Sequence, residues 1–485
     1  MIDEPVPRPG RAVLGRFALA AAAIAMLSGA AVATGLLLEV KDVVNALRLG
    51  GKIDVGSEIT RAEAGEPRTL LLLGADRRYA QTTRGLSDTI LLVRLNPDTE
   101  ATTTMSIPRD LRVEIPGYGR QKINAAYAYG GPKLALKTVK GLLGIEINHI
   151  VNVHFRGFRQ AVDRIGCVYV DVDRRYFNNN LAFAEIDIEP GYQKLCGQDA
   201  LDYVRYRHTD SDLVRGARQQ DFLRQAKDQV RTSELIGDRK ALARIFGKST
   251  QTDGNLRTVT QVLGLLKLGI FAAGKPVREV RFDVRTSGAD LEASPEQIRR
   301  AVRQFLAGRS SKGPRGKLAS TPAQRKATKR RKKQPLVVAG LVRAPDEGQA
   351  AAIAIAAKAS FPVYYPTRRT RYALYPKSLE PRVYKIRDGE GVLRSAFRMV
   401  VNKGINGEFY GIQGTTWKDP PILADPTATI ERGGRKLDLY VDGTRLRVVA
   451  WRTEKAVYWI SNTLLRTLTN AQMIAIARSL KRIKG

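Results

Sequence analysis

The sequence predicts an α/β domain over 68–308, with a mixed central sheet covered by helices on both faces. A smaller α+β domain is expected over 335–485. Three observations predict this. Strand-like runs alternate with helical periodicity from Thr69 to Leu306, which is the pattern of an α/β unit. The run Leu70-Leu71-Leu72-Leu73 is apolar without alternation, as in a sheet buried on both faces. Beyond Pro335 the texture changes to alternating strands that hold all three tryptophans, Trp417, Trp451 and Trp459. At roughly 100–200 residues per domain, 485 residues allow two or three domains.

The elements follow in order. Residues 1–16 carry Arg8, Arg11 and Arg16. Phe17 to Leu38 then runs 22 residues without a charge. A helix of that length spans ~33 Å, about one hydrocarbon core. Glu39, Lys41 and Asp42 follow it, so the basic bias puts the N-terminus in the cytoplasm and the bulk of the chain outside. A cleaved signal peptide is the alternative. Ala31-Val32-Ala33 offers a cleavage site, but Leu36-Leu37-Leu38 carries the apolar run past it. Residues 39–67 read as a membrane-proximal linker or short helix.

Strands are expected at Thr69–Gly74, Thr89–Leu95 and Thr102–Ile107. The second is closed by the turn Asn96-Pro97-Asp98 and the third is stopped by Pro108. Ala125 to Leu143 reads as a helix around Gly130-Gly131. His149–Phe155 and Cys167–Val172 read as strands with a helix, Phe158–Ile165, between them. Leu201–Arg205 is too short to assign. Further helices are expected over Ala217–Thr232, Lys240–Phe246 and Leu256–Phe271. A strand at Val277–Val284 and a helix at Pro295–Leu306, capped by Ser294, close the domain.

Arg309 to Lys333 has 11 basic residues, no acid and almost nothing apolar, so 309–334 is expected to be a disordered linker. After it, Leu437–Val441 alternates, turns at Asp442-Gly443 and returns through Arg445–Trp451, a hairpin signal. A strand at Ala456–Ile460 and a helix over Asn470–Ile483 follow.

The net charge is +34 with a pI near 10.3. Nucleic acid, an anionic membrane or wall, and an anionic substrate all fit such a charge. The placement of the charges separates them. Asp76 and Asp88 stand at the ends of apolar strands, beside Arg109, Lys122, Arg205, Arg207, Asp212, Arg215, Arg218 and Gln219. Arginine forks bind phosphoryl oxygens bidentately, and carboxylates hold a hard cation beside them. Two central acids would repel a nucleic-acid backbone, so no nucleic-acid partner is expected. In an extended Arg205-Tyr206-Arg207 both arginines would share one face. Arg215, Arg218 and Gln219 share a helical face. Taken singly, each residue also has an ordinary reading as a turn acid, a surface ion pair or a solvated basic face.

Only His149, His154 and His208 are present, and no metal-ligand His/Cys spacing occurs. There is no nucleophile elbow and no Walker-type phosphate loop. Cys167 and Cys196 lie 29 positions apart. Outside the cytoplasm such a pair oxidises, and the bridge would contribute roughly 3–4 kcal/mol. Two unconnected core thiols are the alternative.

Together these residues resemble the LytR–CpsA–Psr family, ligases that attach glycopolymers to the bacterial cell wall. Seven blocks carry the resemblance in order: Gly74-Ala75-Asp76-Arg77, Ser87-Asp88-Thr89-Ile90, Ser106-Ile107-Pro108-Arg109-Asp110, Lys122-Ile123-Asn124-Ala125-Ala126-Tyr127, Phe155-Arg156-Gly157-Phe158, Ala200 to His208, and Asp212 to Gln220. The resemblance implies a catalytic domain over 68–308. It also implies a membrane-anchored phosphotransferase moving a glycopolymer from polyprenyl pyrophosphate to peptidoglycan, with the lipid in an apolar tunnel. It implies Mg²⁺ (or Mn²⁺) on Asp76 and Asp88, and catalytic roles for Arg109, Asp88, Arg205 and Arg207. The pyrophosphate would be clamped by Arg109, Lys122, Arg205, Arg207, Arg215 and Gln219. Asp76 or Asp88 would serve as general base. A non-catalytic wall-polymer or polyprenyl-phosphate binder, or a regulator, is the alternative.

Two positions depart from the family pattern. Leu86 stands where an arginine is common, with Arg84 nearby to supply the contact. Cys167 stands where glycine is usual, which fits a bridge to Cys196. The domain over 335–485 lies outside the resemblance and is expected to be a wall- or partner-binding accessory module.

Overall fold

The computed structural model describes residues 40–63, 65–75, 87–99, 101–180, 185–206, 210–229, 244–245, 247–273, 275–287, 290–309, 311, 314, 337–376, 381–403, 408–432 and 434–483. The predicted membrane helix at 17–38 lies outside them, as do Asp76, Arg84 and Arg207, and the linker 309–334 apart from Arg309, Ser311 and Pro314. Among the described residues no helix is long and apolar enough to cross a membrane. The helix expected at Lys240–Phe246 is described only at 244–245, which are helical.

The chain enters through α1 (40–48) and β1 (Gly51–Ile53). Residues 39–67 are therefore not merely a linker. Val40 and Val44 bury against Val262, and β1 pairs in parallel with a strand 200 residues later, Gly51 opposite Gln251. The short helix expected there exists because it has an apolar face to cover.

Next come β2 (Arg68–Ala75), β3 (Ser87–Leu95), β4 (Thr102–Ser106), β5 (Arg112–Ile115) and β6 (Gly119–Lys122). Asn96 makes the β3–β4 turn by accepting the Asp98 N–H at 2.9 Å. Then follow α2 (Ala125–Leu143), β7 (His149–Val153), α3 (Phe155–Arg164), β8 (Val168–Val172), β9 (Tyr176–Asn178), β10 (Ile186–Ile188) and β11 (Gly191–Leu195). Helix α2 bends at Gly131, whose φ of 65° lies outside the helical region, just before Pro132.

After these come α4 (Gly197–Arg205), α5 (Asp212–Gln229), β12 (Thr250–Asp253), α6 (Val259–Ala273), β13 (Val277–Val280), β14 (Arg285–Ser287), β15 (Asp290–Glu292) and α7 (Pro295–Leu306). Helix α7 starts at a capping box, Ser294 with Gln297. The ambiguous stretch at Leu201–Arg205 is helical. Arg205 thus ends α4 instead of sharing an extended face with Arg207.

Seven strands form one mixed sheet in the order β1-β12-β7-β2-β3-β4-β13. Side chains alternate across it. Leu71, Leu73, Ile90, Leu92, Met105 and Ile150 bury one face against Leu136 and Val139 of α2 and Phe305 of α7. On the other face lie Leu70, Leu72, Val93 and Val151, which stay half-buried. Helix α6 covers part of that face, where the Arg68 guanidinium reaches the Gln261 carbonyl at 2.8 Å.

The second unit contains β16 (Leu341–Arg343), α8 (Pro345–Ala356), β17 (Tyr364–Pro366), β18 (Arg368–Thr370), β19 (Arg382–Arg387), β20 (Leu393–Asn402), β21 (Phe409–Thr415), β22 (Ala428–Arg432), β23 (Arg435–Asp442), β24 (Arg445–Arg452), β25 (Val457–Ser461), α9 (Asn470–Arg478) and β26 (Leu480–Arg482). Its sheet is antiparallel, ordered β19-β20-β21-β25-β24-β23-β22. The expected hairpin is present: β23 and β24 turn where Gly443 takes φ 61°. The last helix is shorter than expected. It ends at Arg478, and Leu480–Arg482 pair with Tyr364–Pro366 instead, which buries Leu480.

Candidate functional site

Topology gathers several of the candidate residues at one rim of the first sheet. Strands β2 and β7 run parallel, so both end there. Strand β3 is antiparallel to β2 and begins there, while β4 ends there, with Leu91 opposite Ser106. The rim therefore collects the end of β2, the start of β3, the Pro108–Arg109 turn and Phe155.

At this rim the β2–β3 ladder carries a bulge. Gly74 pairs with Thr89 but Ala75 pairs with Ser87, which leaves Asp88 as the extra residue. Bulges re-aim side chains and are common next to active sites. Gly74 is a glycine for a packing reason: a Cβ there would stand 3.1 Å from that of Thr89. The Asp76 residue and the Asp88 side chain lie outside the described residues.

Helix α5 lies over this end of the half-buried face. Gln219 donates to the Thr89 hydroxyl at 3.0 Å and to the Val204 carbonyl at 3.2 Å, tying α5 to β3 and α4. Asp212, buried at the start of α5, accepts the Arg109 backbone N–H at 2.7 Å. Its other oxygen lies 3.9 Å from Arg109 Nε and accepts from Arg215. One carboxylate thus fixes two of the predicted arginines. The Arg205 guanidinium lies 4.0 Å over the Phe155 ring, and its Nε is buried without a hydrogen-bond partner among the described residues. Asp202, three positions earlier in α4, lies close enough for its charge to be felt by Arg205.

Two predicted residues are placed differently. Lys122 directs its ammonium to Asp110 at 3.4 Å and Asp290 at 3.3 Å, and so links β6 to the β14–β15 hairpin. Arg218 is fully buried, donating to the Tyr203 and Tyr206 carbonyls at 2.9 and 2.8 Å and pairing with Asp210. Its place on the α5 sequence gave no sign of this, because helical spacing does not say which neighbour covers a face. Near it, burial pushes the Asp173 carboxyl above the usual carboxylate range against the pull of Arg174. Burial likewise raises Asp202 in α4, against the hydrogen bonds from Gln198.

Sequence reasoning did not single out Phe155 or Thr89 for the site. Both lie inside the quoted blocks, and that position was the only signal. Cys167 and Cys196 form a disulfide. Cys167 has φ 67°, a left-handed conformation that glycine adopts without strain, which accounts for glycine being usual at this position. Asp163 lies beside the two sulfurs, but bonded sulfurs do not ligate a metal as thiolates do.

A family model and named relatives match the first part of the chain. The model of the LytR_cpsA_psr family matches residues 41–285. A protein of Oceanobacillus iheyensis named polyisoprenyl-teichoic acid–peptidoglycan teichoic acid transferase TagU is 36% identical over 194 residues, 38% of this chain and 58% of that protein. Its namesake in Halalkalibacterium halodurans is 36% identical over 207 residues, 42% of this chain and 65% of that protein. The chain thus spans about three-fifths of the length of these relatives. The crystal structure of B. subtilis TagV aligns at 24% identity and a TM-score of 0.42, over 50% of this chain and 96% of that one. With the family match covering half of its residues, the chain belongs to the LytR–CpsA–Psr family.

Proposed function

We propose that this chain is a phosphotransferase that moves a glycopolymer from a polyprenyl-pyrophosphate carrier to a hydroxyl of peptidoglycan. One observation carries the reading: an arginine-rich rim, with Arg205 stacked on Phe155, stands at the end of a half-buried apolar sheet face. An amphiphile with a diphosphate head and a hydrocarbon tail matches both halves. The relatives' names, which join a polyisoprenyl-linked polymer to peptidoglycan, support the same donor and acceptor.

In this reading the lipid lies along Leu70, Leu72, Val93 and Val151, and the diphosphate meets Arg205, Arg109 and Arg207. Asp212 and Arg215 set the position of Arg109, and Gln219 holds α5 against Thr89. The acceptor oxygen forms a bond to the sugar-proximal phosphorus as the phosphoanhydride bond breaks. Polyprenyl phosphate leaves with the bridging oxygen, and the hydroxyl proton passes to Asp76 or Asp88. Arginines aimed at the charge that develops in flight lower the barrier. Mg²⁺ or Mn²⁺ would be held by Asp76 and Asp88, since the described carboxylates at the rim, Asp110 and Asp212, are already engaged by Lys122 and by Arg109 and Arg215. When bound, the cation would neutralise diphosphate charge. The membrane span at 17–38 would hold the site outside the cytoplasm, beside such a lipid.

The test uses residues 40–485. A synthetic polyprenyl-pyrophosphate oligosaccharide and peptidoglycan fragments are incubated with the protein and Mg²⁺, and polyprenyl phosphate is followed by mass spectrometry. Release that EDTA abolishes, and that Arg109→Ala slows by on the order of 10²-fold or more, is the expected result. Binding of the lipid without cleavage across several donors would replace the enzyme with a wall-polymer binder.

A further inference from the structure

Helix α5 is gripped on three sides. At about 100° per residue, Asp212, Arg215 and Gln219 form one stripe, which faces Arg109 and Thr89. Arg218, Phe222 and Gln225 form a second, which packs on the rest of the first unit. Val214, Ala217, Asp221 and Arg224 form a third. That third stripe lies roughly opposite the site stripe around the helix, and it meets the C-terminal unit.

The contact on that stripe is both apolar and ionic. Val214 and Ala217 bury with Leu464 and Leu465, which follow β25. Arg224 reaches Asp442 at 2.6 Å. Arg466, with only 5% of its side chain exposed, pairs with Asp442 and stands 3.7 Å from Asp221. Arg466 also holds φ 53°, a backbone state that costs a non-glycine residue energy and persists only where the surroundings enforce it. A cavity of about 40 Å³, lined by Asp221, Arg224, Arg398 and Arg466 among others, leaves room for ordered water in this network. A second contact reaches the other site-bearing segment. Asp210, next to Arg207-His208-Thr209 in sequence, pairs with Arg174 and Arg218, and the Arg174 guanidinium lies 5.3 Å over Phe409 of β21.

We infer that the C-terminal unit is a brace for the transfer site, and that Leu465 and Arg466 are positioning residues that act through helix α5. The unit's contacts to α5 fall on the stripe opposite the rim. It fixes the rotation and depth of the helix whose opposite stripe sets Arg109 and Gln219. This adds a structural role to the wall- or partner-binding accessory module expected over 335–485, because the unit buries charge pairs against α5. Both sides of the pair are needed: an ion network alone would allow sliding, whereas the leucines fill the gap between helix and unit and fix its distance.

The inference rests on the phosphotransfer reading, and the experiment separates the two. In residues 40–485, Leu465→Ala, Arg466→Ala and Arg466→Lys are compared with Arg382→Ala. Arg382 also lies at the seam but donates to the Pro190 carbonyl, at 2.9 Å, on the β10–β11 side and away from α5. Polyprenyl phosphate release is measured as kcat and KM for the donor, beside hydrogen exchange of 212–219. The brace predicts that Leu465→Ala and Arg466→Ala lower kcat about tenfold with KM little changed, and speed exchange in 212–219. Arg466→Lys recovers most of the rate, and Arg382→Ala keeps full kcat whatever its melting temperature. Unchanged kcat and exchange in both alanine variants would overturn the brace while leaving the phosphotransferase standing. If even the unaltered protein releases no polyprenyl phosphate, the function reading fails, and the exchange of 212–219 alone decides the brace.

Discussion

Asp212 illustrates how single residues set the site. Its carboxylate holds the Arg109 backbone and pairs with Arg215 while 8% exposed. Asp212→Asn would remove the negative charge that Arg109 and Arg215 share. The expected outcome is a stability loss of about 3 kcal/mol by denaturant unfolding, with a fall in transfer rate larger than that of a distant variant equally destabilised. An unchanged rate in a folded protein would show that Arg109 is placed by other contacts. The cysteines give a second prediction at this scale. The bridge closes a loop 29 residues apart, so Cys167→Ser should cost about 3–4 kcal/mol. A reduced protein and the Cys167→Ser variant should unfold at matching denaturant concentrations. Part of this scale was legible in the chain: Asp212, Arg109, Arg205, Arg215 and the two cysteines were named. What was not legible was who would neutralise whom. Arg218 read as part of an anion-binding helical face and Lys122 as a clamp residue, yet Arg218 found a buried aspartate and Lys122 two flanking ones.

At the scale of elements, the β5–β6 hairpin is tied to β14–β15 by charge. The hydrogen bond from Arg112, at 2.8 Å, holds the Asp290 carboxyl below its usual 3.8, helped by Lys122. A depressed folded-state pKa stabilises above the unfolded value, and that contribution fades as pH falls through the folded one. The expected outcome is that Asp290→Asn loses less stability than the unaltered protein between about pH 5 and pH 3. Parallel slopes in urea unfolding over that window would rule the pair out as an acid-sensitive contact. Many elements of the first unit were readable from period and punctuation. Strands β2, β3 and β4 and helices α2 and α7 fall where apolar runs, the Asn96-Pro97-Asp98 turn and the Ser294 cap put them. Two of the misses share one physical cause. Strand β1 and strand β26 are three residues each, too short for any periodicity, and they exist only because a distant strand offers hydrogen bonds. Helix α4 was ambiguous because five residues of it showed no clear face.

At the scale of the molecule, the two units meet in a buried seam. Asp171 of β8 accepts from Arg398 of β20 at 2.8 Å and from the Trp459 indole at 3.2 Å. Tyr169 and Tyr192 pack there against Trp417, and burial raises the hydroxyl pKa of both tyrosines. Removing one partner of a buried ion pair strands the other, at about 3–5 kcal/mol. Asp171→Ala should therefore destabilise by that order, and calorimetry should show it separating one cooperative transition into two. A single transition with an unchanged midpoint would mean the seam contributes nothing to coupling.

The sequence by itself determined the family, the charge and kind of residues at the site, and the elements that local periodicity specifies. Those follow from neighbours along the chain: a cap bonds its own helix, an apolar run makes its own strand, and a motif block carries its own residues. Tertiary structure alone decided that β2, β3, β4 and β7 share a rim, that Asp88 is the extra residue of a bulge, and that α5 turns one stripe to the site and the opposite one to the C-terminal unit. Those facts depend on which element packs on which, from Ala75 opposite Ser87 to Val214 against Leu464, and a helix with polar and small groups on several sides does not announce which partner will cover each.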